Sequence, residues 1–422
     1  MINISNVVDV DFRIVKSSSV IGSYKTVVYF TPKVMSVEEV VDGGIERVTK
    51  RAILCTSQSE VEKITFADDS ANEIKYNAKQ FFINGGVQLL IITASGYTLQ
   101  DFKNDIEYAR TIDNNFIYIA LNNSICEAGS ADTGYTDTAV LDIARWVESL
   151  KAPQTLRLLV TRNIKSSSEG LDSYDYTYIN KFREYSVGVK FTTKQYNGKL
   201  VDAALLIGAY FTKINLNNVE TIKDYCYTAE EILKEETILN EDTGITHTKT
   251  TNIASEDVVQ SVYSKLVANN YNFIDTIGNK IINFGGNLSN GVSIATDFAT
   301  ICAENDICTA TLNNMMEKQY LNEAGLTNLV STINRQLQRY KDNGYIKTNS
   351  HYSGEDLYIT YNGKTYKVIK KGDVLVNGYL VFAIPVANIS LVDREEKRFP
   401  PIYVVIESLA GARTVAIQGE VR

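Results

Sequence analysis

The sequence is poor in the residues that most often build metal and nucleophilic sites. Its 422 residues include two histidines, one tryptophan, five prolines and five cysteines. The cysteines are scattered and odd in number, which is typical of a reducing compartment and not of a disulfide framework. Neither His247 nor His351 has a second ligand at the spacing of a zinc site, so we expect no metal and no other cofactor.

Long apolar runs and an excess of basic residues are also missing. The longest apolar runs, at 203–211 and 379–387, are much shorter than the ~20 residues of a membrane-spanning helix. The first residues have neither a basic start nor an apolar core, so no secretory signal is expected. The net charge is −8, opposite in sign to most proteins that neutralise phosphates. We therefore expect neither membrane insertion nor nucleic acid as a main partner.

Strand-like and helix-like segments alternate through the first half of the chain. Short apolar runs at 87–93, 116–121 and 156–160 are typical of buried strands. Between them, Thr98 can cap a helix, and apolar residues at 140–150 recur with helical spacing. This alternation predicts an α/β layered domain with a mostly parallel sheet over 22–254. Its last part, 215–254, is polar and predicts an irregular connection.

The second half predicts an α+β domain of helices followed by strands. Helical spacing begins after Ser255 and continues to about Tyr345, with an interruption near Gly285 and Gly286. After Gly354 the apolar residues alternate with a period of two, which indicates strands. We expect this helix-plus-strand domain to cover 255–410.

Both ends of the chain are predicted to be extended arms, at 1–21 and 411–422. Apolar residues there alternate with polar ones, at Val8, Val10, Phe12, Ile14, Val415, Ile417 and Val421. A terminal strand without a partner in its own domain can add to the sheet of a neighbour. Periodicity alone leaves open the alternative that both strands pair within their own subunit.

Signals of catalysis are weak. Asp-Thr-Gly occurs at 132–134 and at 242–244, and paired Asp turns of this kind form the site of aspartic proteases. The residues before both aspartates are not the apolar ones that hold such a loop, so Asp132 and Asp242 are interpreted as turn residues. Neither glycine-rich phosphate-binding pattern is present, and Gly85-Gly86 follows a helix instead of preceding one. We expect no enzyme activity.

Several segments resemble one family, the contractile tail sheath proteins of phages and related injection machines. The family's helix before an Asn-rich turn is similar to 256–273, and its small-residue strand with a Ser-x-Gly turn is similar to 281–292. Its Ala-Gly start of a long helix resembles 320–330, and its closing motif resembles 393–412, from Asp393-Arg-Glu-Glu to Ala-Gly-Ala. Phe81-Phe-Ile-Asn-Gly-Gly also looks like the sheath α/β region. Nothing in 165–200 or 215–254 resembles the family.

The resemblance implies a structural protein of a virion tail, assembled in the bacterial cytoplasm. It implies stacked six-fold rings around a tail tube, contraction that drives the tube through the host envelope, and arms that reach neighbouring subunits. Its partners would be further copies, the tube protein, the baseplate and the tail terminator.

One surface follows from the resemblance and from the charge pattern together. Arg335 and Arg339 stand one turn apart, opposite the apolar stripe of a predicted helix. Because the family's C-terminal region lines the tube, we expect these arginines to face it. Two alternatives to the sheath remain at this point: an α/β enzyme or nucleotide-binding protein, and another virion component such as a baseplate or tail-terminator protein.

Overall fold

The structure is a computed structural model that describes most of the chain. The described residues are 24–41, 44–66, 72–126, 132–162, 176–192, 195–196, 199–214, 225–226, 233–239, 246–252, 258–277, 280–317 and 320–407. The predicted arm residues, from Val8 to Ile14 and from Val415 to Val421, lie outside them, as do the domain boundaries near 21, 254 and 410. The arms and these boundaries therefore stay predictions.

The described residues form strands and helices that alternate along most of the chain. In chain order the strands are β1 (Thr26–Thr31), β2 (Met35–Val41), β3 (Gly44–Lys50), β4 (Ala52–Cys55), β5 (Thr65–Phe66), β6 (Gln88–Thr93), β7 (Phe116–Leu121), β8 (Arg157–Arg162), β9 (Val187–Phe191), β10 (Gln195–Tyr196), β11 (Lys199–Leu200), β12 (Leu233–Leu239), β13 (Thr246–Asn252), β14 (Phe273–Ile277), β15 (Lys280–Phe284), β16 (Ser350–His351), β17 (Leu357–Tyr361), β18 (Lys364–Ile369), β19 (Val374–Leu375), β20 (Tyr379–Ala383) and β21 (Ile402–Ile406). The helices are α1 (Gln58–Glu62), α2 (Asn72–Ile83), α3 (Leu99–Ile112), α4 (Asn123–Cys126), α5 (Asp137–Ser149), α6 (Thr177–Asn180), α7 (Leu205–Thr212), α8 (Gln260–Ala268), α9 (Ile294–Met316), α10 (Glu323–Asp342) and α11 (Leu391–Glu395). Within the described ranges no helix has the length and apolar character needed to cross a membrane.

A six-stranded sheet organises the first half, in the order β4-β6-β1-β7-β8-β9. All neighbours are parallel except β4, which pairs antiparallel with β6 at one edge. From β1 the chain moves to β6 on one side and then to β7 on the other. This reversal is the doubly wound arrangement. The predicted α/β layer with a mostly parallel sheet is confirmed.

The central strands are apolar throughout because helices cover both faces of the sheet. In β1, Val27 and Tyr29 face a core shared with α2, α7, α9 and α10. Val28 and Phe30, which alternate with them, face the opposite core, shared with α3, α5 and α8. Residues from both predicted domains thus complete the first of these cores.

Local signals set several element ends where the sequence predicts them. Thr98 caps α3 in a capping box, in which Asp101 also accepts a bond from the Thr98 backbone N–H. After α2 the chain turns at Gly85, whose φ of +85° is a left-handed conformation that glycine adopts without strain. Thr136 caps α5 in the same manner as Thr98, by accepting a bond from the Ala139 N–H.

A small β module follows the long helices α9 and α10. The hairpin β17–β18 packs on one face of the two-stranded sheet β20–β21, around Ile359, Val368 and Ile384. The other face of β20–β21 packs on the core that α9 and α10 line. The long helices and the later strands are therefore confirmed, but the stretch predicted to be helical, from 255 to about 345, also contains the antiparallel hairpin β14–β15, with Phe273 opposite Phe284. Its short apolar runs fit a strand as well as a helix, so periodicity alone does not separate the two.

Two other hairpins also differ from the sequence predictions. The segment 215–254, predicted to be an irregular connection, contains the antiparallel pair β12–β13, with Leu233 opposite Asn252 and Leu239 opposite Thr246. Its Thr, Glu and Lys residues lack the apolar alternation on which strand prediction depends. A second hairpin, β2–β3, follows β1 and was not predicted as a separate unit.

Candidate assembly surfaces

A buried carboxylate closes the sheet edge where doubly wound folds bind ligands, at the carboxyl ends of the strands beside the reversal of strand order. Asp202, whose exposed fraction is 3%, accepts hydrogen bonds there from the Tyr29 hydroxyl and from Asn122 Nδ2 at 2.6 Å. Asn77 Nδ2 donates to it at 3.1 Å and the Asn123 backbone N–H at 2.7 Å. Burial and the neighbouring Asp202 raise the pKa of Tyr29 well above its usual value. These polar groups bond to one another, so the position has the character of a structural plug.

The cysteines of the described core have the properties of packing residues. Burial raises the pKa of Cys55 and of Cys308 to about 12, and that of Cys302 well above its usual value. A thiol with such a pKa stays protonated at neutral pH and is a poor nucleophile. Of the two predicted turn aspartates, Asp132 lies in an exposed turn, whereas Asp242 lies outside the described residues.

The segments that carry the family resemblance have defined structural roles. Asn322 caps α10 by accepting a bond from the Gly325 N–H at 2.9 Å. A side chain at Gly325 would clash with the Tyr320 carbonyl and press on the ring of Phe399. The segments 320–330 and 393–412 therefore meet at this glycine.

The Ser-x-Gly turn at 289–291 has a different role. The Ser289 hydroxyl is buried and lies 2.8 Å from the Phe182 carbonyl and 2.6 Å from the Tyr185 carbonyl. It also accepts a bond from the Val187 N–H at 3.3 Å, so this turn fixes the start of β9.

The sheet β20–β21 is the strongest candidate for accepting a strand. Both strands, Tyr-Leu-Val-Phe-Ala and Ile-Tyr-Val-Val-Ile, are apolar on both faces and packed on both faces. Such sequences are typical of strands in the middle of a sheet. Within the described ranges, however, the sheet has only these two strands, so both outer edges keep unpaired backbone groups.

The structure places the predicted arginine pair in two different surroundings. Arg335 is exposed on α10, as predicted. Arg339 is half-buried, and its Nη1 lies 3.8 Å from Oδ2 of the buried Asp306 on α9. Asp306 also accepts a bond from the Tyr340 hydroxyl at 2.8 Å. Arg339 therefore helps to hold α10 on α9, and the tube-facing role of the pair stays a prediction.

Sequence reasoning missed a buried ion pair that joins the long helices to the sheet. Arg157, at the start of β8, donates from Nε to Asp297 Oδ2 at 2.8 Å and from Nη2 to Oδ1 at 2.7 Å. Both side chains are almost completely buried. The pair spans 140 residues of sequence, so no local pattern indicates it.

Comparisons with known proteins identify the fold but not a family by sequence. No family model matches the chain, and no curated protein matches it either. A chain from the six-fold symmetrised baseplate of the anti-feeding prophage is 10% identical, with a TM-score of 0.57, over 97% of this chain and 98% of its own. The contracted helical sheath of the same particle gives 11% identity and a TM-score of 0.56, over 96% and 94%. A chain from the contracted PVC sheath complex of an extracellular contractile injection system is 12% identical, with a TM-score of 0.55, over 97% of each chain.

The chain combines a doubly wound α/β layer with a C-terminal helix-plus-strand module. This whole arrangement is the fold of sheath proteins from contractile injection systems. The sequence resemblance is confirmed at the level of the fold.

Proposed function

We propose that this chain is the structural subunit of a contractile tail sheath. The subunits form stacked six-membered rings around a tail tube, and their contraction drives the tube through the host envelope. The observation that carries this proposal is the similarity of almost the entire chain to sheath chains of comparable length. The closed ligand position at Asp202 favours a structural role over the alternative of an α/β enzyme or nucleotide-binding protein.

Strand exchange between subunits is the proposed means of linkage. The sheet β20–β21 offers open edges and apolar faces, and the alternating residues of both arms have the pattern of strands that fit it. Backbone hydrogen bonds would supply the pairing, and the apolar positions would set the register. The other proposed partners are the tube protein, the baseplate and the tail terminator. The proposed location is the virion tail, after assembly in the bacterial cytoplasm.

Negative-stain microscopy of the purified full chain tests the proposal. Hollow tubes or stacked six-membered rings are the expected result. A compact monomer that binds a nucleotide would overturn it and favour the enzyme alternative.

A second candidate is a sheath-like component of the baseplate, because one similar chain belongs to a baseplate structure. The two candidates differ in how far their assemblies grow. A sheath subunit stacks ring upon ring into tubes whose length grows with protein concentration. A baseplate component would stop at a single ring under the same conditions.

The predicted tube contact is best tested at Arg335 alone. R335E should fold and polymerise normally but coat isolated tubes less well, and added salt should weaken the coating by the wild-type chain, because exposed ion pairs are screened. Reversal of Arg339 would place a carboxylate beside the buried Asp306, so that variant mixes a surface effect with a folding effect. R335A is the matched control for loss of charge without reversal. Tube coating by R335E at the wild-type level would exclude this surface.

A further inference from the structure

The hairpin β2–β3 extends beyond the body of the α/β layer. Its strands pair over seven residues each, from Met35 opposite Lys50 to Val41 opposite Gly44. The third strand of this sheet, β5, pairs only with Met35 and Ser36. The remaining five residues of β2 therefore extend roughly 17 Å past β5, at about 3.4 Å per residue.

The outer part of this hairpin is acidic and has an apolar side chain near its tip. Residues 35–50 contain four acidic and two basic residues, a net charge of −2. One of the basic residues, Arg47, is opposite Glu38, and its Nη2 lies 4.0 Å from Glu38 Oε1. Ile45 is 74% exposed, a high value for a large apolar side chain. We call the described residues Glu38, Glu39, Ile45 and Glu46 the acidic hairpin tip.

The acidic hairpin tip contains a repulsion that its own chain only partly relieves. Glu39 and Glu46 are directly opposite each other in the register. Like charges in this position destabilise a strand pair. Lys50 Nζ lies 2.9 Å from Glu39, but Glu46 forms no ion pair with any residue that the structure describes. A cationic group from outside would remove the repulsion at Glu46.

The hairpin β17–β18 has the opposite charge. Its sequence from 357 to 371 contains four lysines and no acidic residue, and all four are exposed: Lys364, Lys367, Lys370 and Lys371. We call this stretch the basic hairpin. Tyr358 on β17 is 49% exposed and offers an apolar surface beside the charges.

The basic hairpin is held in a fixed shape by two flanking aspartates. Asp373 accepts a bond from the Lys370 backbone N–H at 2.9 Å, which together with Lys367 lowers the pKa of Asp373. Asp356 accepts from the Lys371 backbone N–H at 2.8 Å. Even with these two carboxylates counted, the segment 356–373 has a surplus of positive charge.

We propose that the acidic hairpin tip of one copy docks on the basic hairpin of a second copy. The two hairpins have opposite net charge, and the charged side chains of Glu38 and Glu46 on one and of the four lysines on the other are exposed in the single chain. Each surface also has an exposed apolar side chain near its charges, Ile45 or Tyr358. Because the surfaces differ, the contact is head-to-tail, and such contacts generate rings or helical arrays. The inference rests on the proposed self-assembly and names one of its interfaces. Exposed ion pairs are individually weak, which suits a contact that has to rearrange.

Charge reversal on both sides tests the contact. We compare E38K/E46K, K370E/K371E and the variant that combines all four substitutions. Each double variant should weaken self-association of the full chain about tenfold at low salt, because complementary charge becomes repulsion. The combined variant should recover self-association, because the net charge of 35–50 then changes from −2 to +2 while that of 356–373 changes from +2 to −2, so the two surfaces again have opposite signs. Sedimentation velocity over a concentration series gives the association constants.

E184K/E317K is the matched control, since it makes the same change in net charge as E38K/E46K at two exposed positions elsewhere. Self-association of E38K/E46K equal to that of this control would overturn the proposal, as would failure of the combined variant to recover. These outcomes are separate from the sheath proposal. Normal tubes from E38K/E46K would exclude the hairpin contact and leave the sheath intact. Loss and recovery of association in a chain that never forms tubes would support the contact and exclude the sheath.

Discussion

The D202A variant should lose about 3–5 kcal/mol of unfolding free energy, the amount expected when one member of a buried charged network is removed. Asp202 accepts bonds from Tyr29, Asn77, Asn122 and the Asn123 backbone, and all of these donors are buried. Removing the carboxylate leaves the donors without an acceptor in a space closed to solvent. Urea denaturation of the full chain, followed by circular dichroism, measures the change.

Two further variants make that measurement specific. D202N keeps the size of the side chain but replaces one accepting oxygen with an NH2 group, which faces other hydrogen-bond donors. Its free energy of unfolding should therefore lie between those of D202A and the wild type. D142A removes a partly exposed carboxylate that forms a surface ion pair with Arg145 at 3.1 Å, and it should change stability by less than about 1 kcal/mol. If D202A were as stable as D142A, Asp202 would not be the plug that holds the sheet edge closed.

Deletion of residues 1–16 should give a folded chain that no longer polymerises. The core that the structure describes is built from Tyr24 and later residues, and its first strand begins at Thr26. The loss should be in assembly, because the arm is the proposed strand donor for a neighbouring β20–β21 sheet. Circular dichroism reports the fold, and negative-stain microscopy reports the polymer.

A full-length control distinguishes the loss of strand pairing from the shortening of the arm. Serine at Val8, Val10, Phe12 and Ile14 keeps the backbone and removes the apolar alternation that would set the register. This variant should also fail to polymerise, or should form irregular arrays. Normal tubes from either protein would show that the N-terminal arm is not the link between subunits.

Periodicity and capping residues predict much of the α/β layer. The strands at 88–93, 116–121 and 157–162 bury nearly every side chain, and the sequence shows this as uninterrupted apolar runs. Thr98 and Thr136 cap their helices through neighbours three residues away, so a single sequence contains the whole signal.

What could not be predicted depends on groups that are far apart in sequence. Asp202 meets Asn77 across 125 residues and Tyr29 across 173. Arg339 looked like a solvent-facing arginine because its partner Asp306 lies on another helix. The hairpin β12–β13 was missed for a different reason. Its threonines and glutamates show no apolar face, so backbone pairing has no counterpart in the hydrophobic pattern.

The core that joins the two halves of the chain also affects the order in which folding and assembly can occur. Tyr24 accepts a hydrogen bond from Asn305 Nδ2 at 2.6 Å, 281 residues later, and the same core is completed by Val381 and Val404. At about 5–20 residues per second, a ribosome needs roughly 20–70 s to pass from β1 to β20. During that interval one face of β1 lacks its final covering, and the sheet β20–β21 does not yet exist. Under the strand exchange proposed above, a nascent chain has no finished strand acceptor during that interval, and we expect polymerisation to begin only after β21 (Ile402–Ile406) has been made.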